Sequence, residues 1–208
     1  MKQIIEKKLE CMGFKKTIHN DQIEKLIQLS DLTLKWNKKN NLISKDNEKI
    51  IWERHIFDSL EALKILQNGN NNDSILDMGS GTGFPLIPLT ILFPNLKFSS
   101  IEPREKRVRI LRQFKRDLNL KNLKLNIGKA EDYLSKLTAN SFDFVSSRAL
   151  GNLNEDWQRA NSFLKEGGKF ITFKSSSEKD IFNQTPWESI QYNHLEDSEP
   201  YYLVTREK

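Results

Sequence analysis

Residues 75–85 read Ile-Leu-Asp-Met-Gly-Ser-Gly-Thr-Gly-Phe-Pro. A short apolar run ends in an acid, Asp77, and glycines follow at three alternate positions, Gly79, Gly81 and Gly83. Phe84-Pro85 then opens an apolar stretch of helical length. Nineteen residues beyond Gly83, a second apolar run, Phe98 to Ile101, ends in another acid, Glu102. The order strand, glycine turn, helix, strand, acid is the unit with which a doubly wound α/β domain holds an adenosine-bearing cofactor.

The glycine spacing separates the candidate cofactors. A dinucleotide site uses G-x-G-x-x-G and aims a helix N-terminus at a pyrophosphate. Here the spacing is G-x-G-x-G, with an acid two residues before the first glycine. That acid would repel a pyrophosphate but suits a cation. S-adenosylmethionine carries an ammonium and a sulfonium and no phosphate. Glycines let the backbone approach such a ligand closely, and Glu102 can accept hydrogen bonds from two ribose hydroxyls. A glycine-rich turn alone is equally what any tight strand-to-helix turn requires; the two acids at these spacings favour the cofactor.

At 208 residues the chain is expected to be one compact unit. Its single cysteine, Cys11, excludes an internal disulfide and fits a reducing, cytoplasmic setting. The longest apolar stretch, Phe84 to Phe93, is far too short to span a membrane, and the first residues lead into no signal-type apolar core. A soluble cytoplasmic protein is expected. The net charge of +5 is unevenly spread: residues 1–72 carry +3, residues 104–129 carry +8, and the remainder carries −6. Such asymmetry points to a polyanionic partner meeting one region of the surface.

Residues 1–67 read as helical, with Ile23, Leu26, Ile27, Ser30, Leu34 and Trp36 as an apolar stripe. Asp46 or Asn47 could cap a further helix carrying Ile50, Ile51, His55, Leu60 and Leu63. An Asn/Gly linker at 68–72 separates this N-terminal helical extension, 1–72, from the segment 73–208, where strand and helix alternate. Predicted strands are Ser74–Met78, Lys97–Glu102, Leu123–Ile127, Phe142–Ser146 and Gly168–Phe173, with a last one at Tyr201–Thr205. Predicted helices are Leu86–Phe93, Arg104–Leu118, Glu131–Lys136 and Asn152–Leu164, with Gly167-Gly168 as a helix stop. The fold class is therefore α/β: a Rossmann-like, mostly parallel twisted sheet with helices on both faces.

Ligands of such sheets lie beyond the carboxyl ends of the strands. After the third strand, Ala130 could offer a backbone N–H to an adenine with Glu131 beside it; equally, Glu131 or Asp132 could simply cap a short helix. Arg148 ends the fourth strand, beside the cofactor's reactive end, where it could touch the cofactor, a phosphate or a base; its plainer reading is an arginine paired with a nearby carboxylate. In the basic segment, Lys106, Arg109, Arg112 and Arg116 form a stripe opposite Val108, Ile110, Leu111 and Phe114. That stripe is either a solvated face or a phosphate-binding one. The three histidines show no metal spacing, and no metal is expected. Arg54-His55-Ile-Phe-Asp58-Ser59 contains the residue types of a hydrolase triad, but five neighbouring residues on one helix do not recreate triad geometry; helix packing on the cofactor domain is the expectation.

These residues also resemble a known family. Trp36-Asn37-Lys38-Lys39-Asn40-Asn41-Leu42, Arg54-His55-Ile56-Phe57-Asp58-Ser59-Leu60, Asp77–Pro88, Lys106–Leu111, Ala130-Glu131, Ser147-Arg148-Ala149 and Phe173-Lys174 match, in order, the bacterial small-subunit ribosomal RNA 7-methylguanosine methyltransferases, also called glucose-inhibited division protein B. The resemblance implies S-adenosyl-L-methionine as cofactor, contacted by Gly79, Phe84, Ala130, Glu131 and Arg148, with Glu102 at the ribose. It implies N7 of a guanine in the 530 loop of 16S rRNA as acceptor, and the small ribosomal subunit as partner to a monomeric enzyme. Arg148 is then expected to serve cofactor and base together, and Lys174 and the basic stripe to meet RNA phosphates. Two alternatives stay open: a methyltransferase acting on another RNA, a protein or a small molecule, and a non-catalytic RNA-binding ribosome-assembly factor. Residues 175–200 match weakly and receive no assignment.

Overall fold

The computed structural model describes residues 1–14, 18–134, 139–148, 150–193 and 199–208. Seven strands form one sheet: β1 (Ser74–Met78), β2 (Lys97–Glu102), β3 (Leu123–Ile127), β4 (Phe142–Arg148), β5 (Leu164–Ser175), β6 (Glu188–Tyr192) and β7 (Tyr201–Glu207). Their order is β3-β2-β1-β4-β5-β7-β6. The first five pair in parallel, whereas β7 runs antiparallel between β5 and β6. Strand β1 is central, so Asp77 pairs with Ser100 on one side and Ser146 on the other. Chain order reverses at β1, with β2 on one flank and β4 on the other, which opens a crevice at their carboxyl ends.

Ten α-helices accompany the sheet among the described residues: α1 (Lys2–Cys11), α2 (Asn20–Asn40), α3 (Lys45–Lys49), α4 (Asp58–Leu60), α5 (Leu63–Leu66), α6 (Leu86–Leu92), α7 (Glu105–Asp117), α8 (Ala130–Tyr133), α9 (Leu153–Phe163) and α10 (Lys179–Phe182). A run of wide, π-type turns, Trp52–Phe57, leads into α4. On one face of the sheet, α1, α2, α4 and α5 share an apolar core with α6 and α7; on the other, α9 and α10 pack with Leu76, Val145, Phe170 and Val204. Every residue of α6 is buried, as befits a helix that is apolar on all sides apart from Thr90, whose hydroxyl donates to the Leu86 carbonyl. No helix among the described residues is long and apolar enough to cross a membrane.

The first three strands match the predicted bounds, and β4 runs on to Arg148. The glycine pair Gly167-Gly168 does not stop α9, which ends at Phe163; it lies inside β5, beside a register shift against Phe142 and Phe144 of β4. Strand β6 was not anticipated. It is a five-residue edge strand, mostly exposed, with only Ile190 and Tyr192 apolar, so alternation is too brief to register. The predicted helix Glu131–Lys136 appears as α8, with Lys136 outside the described residues, as are Ala149 and His194.

In α2 the buried face is Gln22, Ile23, Leu26, Leu29, Ser30, Thr33 and Asn37, leaving Leu34 and Trp36 half-buried. Asn37 explains part of the Trp-Asn-Lys motif: its Oδ1 accepts from the backbone N–H of Ile43 at 2.9 Å and its Nδ2 donates to Glu48 at 2.6 Å, fastening the turn after α2. The cap of α3 is Ser44, whose Oγ accepts from the N–H of Asn47, rather than Asp46 or Asn47.

Candidate active site

The glycine turn folds back onto the acid of the next strand. Glu102 Oε2 accepts from the N–H of Gly81 at 2.8 Å, while Oε1 accepts from the backbone N–H and Nε of Arg104 at 3.0 and 2.8 Å. Burial opposes ionisation of Glu102, but these donors outweigh it and hold the carboxyl below its ordinary range. Gly79 and Gly83 have φ of +68° and +96°, which side chains rarely adopt. A Cβ on Gly83 would lie 2.7 Å from Ile87 and 2.9 Å from Leu111, so the turn also needs glycine to seat α6 against α7.

Asp77 stands opposed to Glu102 in its electrostatics. It is 1% exposed, and Ser146 on β4 donates its Oγ to Oδ1 at 2.7 Å. Burial pushes its carboxyl up to about 6; the Ser80 and Ser146 hydroxyls and the Arg148 charge pull the other way, and Glu102 adds to the rise. Its second oxygen, Oδ2, is buried and has no hydrogen-bond partner among the described residues. An orphaned buried carboxylate oxygen at the tip of the central strand fits a cationic ligand group and would repel an anionic one.

Two cavities flank the end of β4. The first, about 550 Å³, is lined by Gly79, Ile101, Gly128, Ala130, Glu131 and Leu150 among others. Met78 and Ile101, the chain neighbours of Asp77 and Glu102, form part of its wall. Asp132 accepts from the N–H of Lys129 and so supplies the cap of α8, leaving Glu131 to line this cavity with Arg159 Nε 2.8 Å from its Oε1. The second cavity, about 360 Å³, is lined by His55, Asp58, Arg148, Lys174, Glu178 and Tyr201 among others. Leu150 borders the first and its neighbour Gly151 the second, so the segment after Arg148 divides them.

Arg148 is paired with a carboxylate, as its plainer reading anticipated, yet it is not a surface pair. Its Nη1 donates to Asp58 Oδ2 at 2.7 Å, its Nη2 lies 3.2 Å from His55 Nδ1, and its side chain is 16% exposed. The His55 ring packs against Phe84 with centroids 5.1 Å apart, and the guanidinium stands 5.6 Å above the same ring. Phe84 is therefore buried as a platform under Arg148 and lines neither cavity. The Arg54–Ser59 segment forms no triad: Ser59 Oγ donates to the carbonyl of His55, while His55 and Asp58, three residues apart, both turn to Arg148.

Lys174 lines the second cavity, but its ammonium is buried against Glu178 at 3.1 Å, Asp156 at 3.9 Å and the carbonyl of Gly151 at 3.0 Å. Reaching a phosphate would mean leaving two carboxylates and the Gly151 carbonyl. The basic stripe is solvent-facing: Lys106, Arg109, Arg112 and Arg116 are exposed on α7, with Arg109 donating to Glu105 and Arg116 to Gln113. Sequence reasoning passed over Tyr192 and Tyr201. Tyr201 lines the second cavity with the Arg54 guanidinium 4.2 Å from its ring centroid. Tyr192 donates its hydroxyl to Asp58 Oδ1. Neither carries a local signal, since each acquires its neighbours through strand pairing: Tyr201 opposite Ser175 of β5 and Tyr192 opposite Tyr201.

An apolar cavity at the glycine turn and a second, more polar cavity lined by Arg148 lie on either side of the Leu150-Gly151 segment, an arrangement with room for two ligands. The residues present fit a cofactor with one cationic end and a hydroxylated, planar other end. The fold agrees. An O-methyltransferase from Bacillus cereus, solved in complex with SAH, aligns over 86% of this chain and 91% of its own at a TM-score of 0.63 and 18% identity. The precorrin-6y C5,15-methyltransferase of Geobacter metallireducens aligns over 81% and 92% at 0.55 and 16% identity. Nearer in sequence are proteins named ribosomal RNA small subunit methyltransferase G. That of Alkaliphilus metalliredigens is 31% identical over 180 residues, spanning 86% of this chain and 74% of its own. That of Staphylococcus epidermidis is 32% identical over 172 residues, spanning 83% and 71%. The family described as rRNA small subunit methyltransferase G matches residues 22–199, and the chain belongs to it.

Proposed function

We propose that the protein is an S-adenosylmethionine-dependent methyltransferase that acts on N7 of a guanine in the 530 loop of 16S rRNA. The observation that carries the cofactor half is the orphaned Oδ2 of Asp77 beside a turn whose glycines take backbone conformations that side chains rarely adopt. Bound there, S-adenosylmethionine supplies an electrophilic methyl group on a sulfonium. Asp77 takes the ammonium, Glu102 keeps lone pairs for ribose hydroxyls beside its bonds to Gly81 and Arg104, and Ala130 and Glu131 border the adenine.

The acceptor half rests on the second cavity and on charge. Guanine N7 carries a lone pair and no proton, so no side chain is needed to remove one. The protein's task is alignment, worth roughly 7–11 kcal/mol for well-oriented reactants. Arg148, held in the wall of the second cavity, can donate to the base edge, and Tyr201, with the Arg54 guanidinium on its ring, lines the same cavity. The exposed arginines of α7 meet the RNA backbone without reading its sequence. In this reading the helical segment 1–72 covers the methyltransferase unit 73–208 and supplies His55 and Asp58 to its site; the enzyme works as a monomer on the small ribosomal subunit in the cytoplasm.

The test is to map 7-methylguanosine in 16S rRNA from cells lacking this gene, with and without the gene restored. A guanine that loses its methyl group in the deletion and regains it on complementation is the expected result. An unchanged methylation pattern would overturn the proposal.

A further inference from the structure

Asp58 ties two distant parts of the chain to Arg148. Its Oδ2 accepts from Arg148 Nη1 at 2.7 Å and its Oδ1 from the hydroxyl of Tyr192, the last residue of β6 and 134 positions away. Asp58 is 4% exposed and Tyr192 8%. Oδ2 thus meets the guanidinium and Oδ1 the phenol, with His55 Nδ1 at the other edge of the guanidinium. We propose that Tyr192 is a positioning residue for methyl transfer, acting through Asp58 to keep Arg148 in the wall of the second cavity.

An unrestrained aspartate prefers to meet arginine side-on, with both oxygens on two parallel N–H groups. In that arrangement Asp58 would draw the guanidinium toward itself and withdraw donors from the acceptor cavity. The phenol occupies Oδ1 and prevents it. Burial first, then the Asp58 charge and the hydrogen bond itself, push the Tyr192 hydroxyl well above its ordinary range, so it remains a donor throughout the working pH range. The β5–β7 pairing sets Tyr201 in the cavity wall opposite Ser175, and the β6–β7 pairing sets Tyr192 opposite Tyr201, so the final hairpin acts on the acceptor side of the site.

This inference rests on the reading of Arg148 as the residue that meets the base, and the experiment separates the two. The full chain carries Tyr192→Phe, Asp58→Asn, both together, or Arg148→Ala, and transfers tritiated methyl to small subunits from the deletion strain. For Tyr192→Phe, kcat falls about tenfold while cofactor affinity and melting temperature stay near wild type; for Asp58→Asn the loss is about 100-fold, the scale of a misplacement near 1 Å. The double variant is no worse than Asp58→Asn alone. An unchanged kcat for Tyr192→Phe, or a full further loss on the Asp58→Asn background, overturns the role of Tyr192. Full activity in Arg148→Ala overturns the reading beneath it. A readout free of any acceptor is guanidinium NMR of 15N-arginine protein: rotation of the Arg148 fork is hindered in wild type and released in Tyr192→Phe, and equal hindrance in both overturns the strut.

Discussion

Ser146 Oγ lies 2.7 Å from Asp77 Oδ1, across the register pair that joins β1 to β4, and leaves the other oxygen of a buried carboxylate unpartnered. That one-sided solvation makes the central acid of the site costly to ionise until a ligand arrives.

Stability without cofactor should therefore depend on the charge of Asp77. Its carboxyl rises from 3.8 to about 6 on folding, so the folded state binds the proton more tightly than the unfolded one. The resulting stabilisation is complete below about pH 4 and lost as pH climbs through about 6, on the order of 3 kcal/mol in all. Urea melts of wild type and Asp77→Asn between these limits should differ in slope, the variant being flatter.

Cofactor binding should show the opposite trend. An ammonium is held by the ionised acid, so affinity should fall about tenfold per pH unit below 6 and level off above 7. Calorimetry across that range checks it. Asp77→Asn should remove the pH dependence and most of the affinity, and Asp77→Ala should abolish methyl transfer while the protein stays folded.

Gly83→Ala should cost stability as well as activity. The backbone there is left-handed, and the new Cβ would meet Ile87 and Leu111 inside 3 Å, between two helices of the main core. A loss of about 1–3 kcal/mol is expected from the conformation, with strain added. At Gly79 the nearest group is the half-exposed end of Leu150, which can swing away, so Gly79→Ala should spare stability more than cofactor binding. Thermal melts and calorimetry on both variants distinguish the two effects.

Reversing Lys106, Arg109, Arg112 and Arg116 to glutamate should weaken binding to small subunits and leave cofactor affinity intact. If all four meet phosphates, the slope of log affinity against log salt should drop by about 3, at roughly 0.7 per phosphate of single-stranded RNA. An unchanged slope would make the stripe a solvated face only.

Arg148→Ala should lower kcat by at least about 100-fold, the scale of losing a preorganised donor, and should also free Asp58 and His55 from their shared partner. A melting curve on the variant separates lost catalysis from lost packing.

Much of the methyltransferase unit was legible because its signals are local. Strands β1 to β3 appear in three short apolar runs, α7 in a clean alternation of apolar and basic faces, and the cofactor turn in the spacing of Asp77, Gly79, Gly81, Gly83 and Glu102. The charge of residues 104–129 likewise foretold an exposed basic face. Phe84, Lys174 and the glycine pair before Lys169 were harder, because a residue type does not say whether a neighbour will cover it. Phe84 lies under Arg148 and His55, Lys174 lies among carboxylates, and Gly167-Gly168 sit within a strand.

The sequence by itself determined the fold class, the kind of cofactor turn and the sign of the surface, since each is written in residues a few positions apart. The tertiary structure alone decided the company of Arg148. His55 and Asp58 reach it from the N-terminal helical segment, and Asp58 is in turn met by Tyr192 from the edge strand of the sheet, 134 residues further on. Hydrogen bonds of that reach depend on the order in which strands assemble, and no local pattern in the chain encodes them.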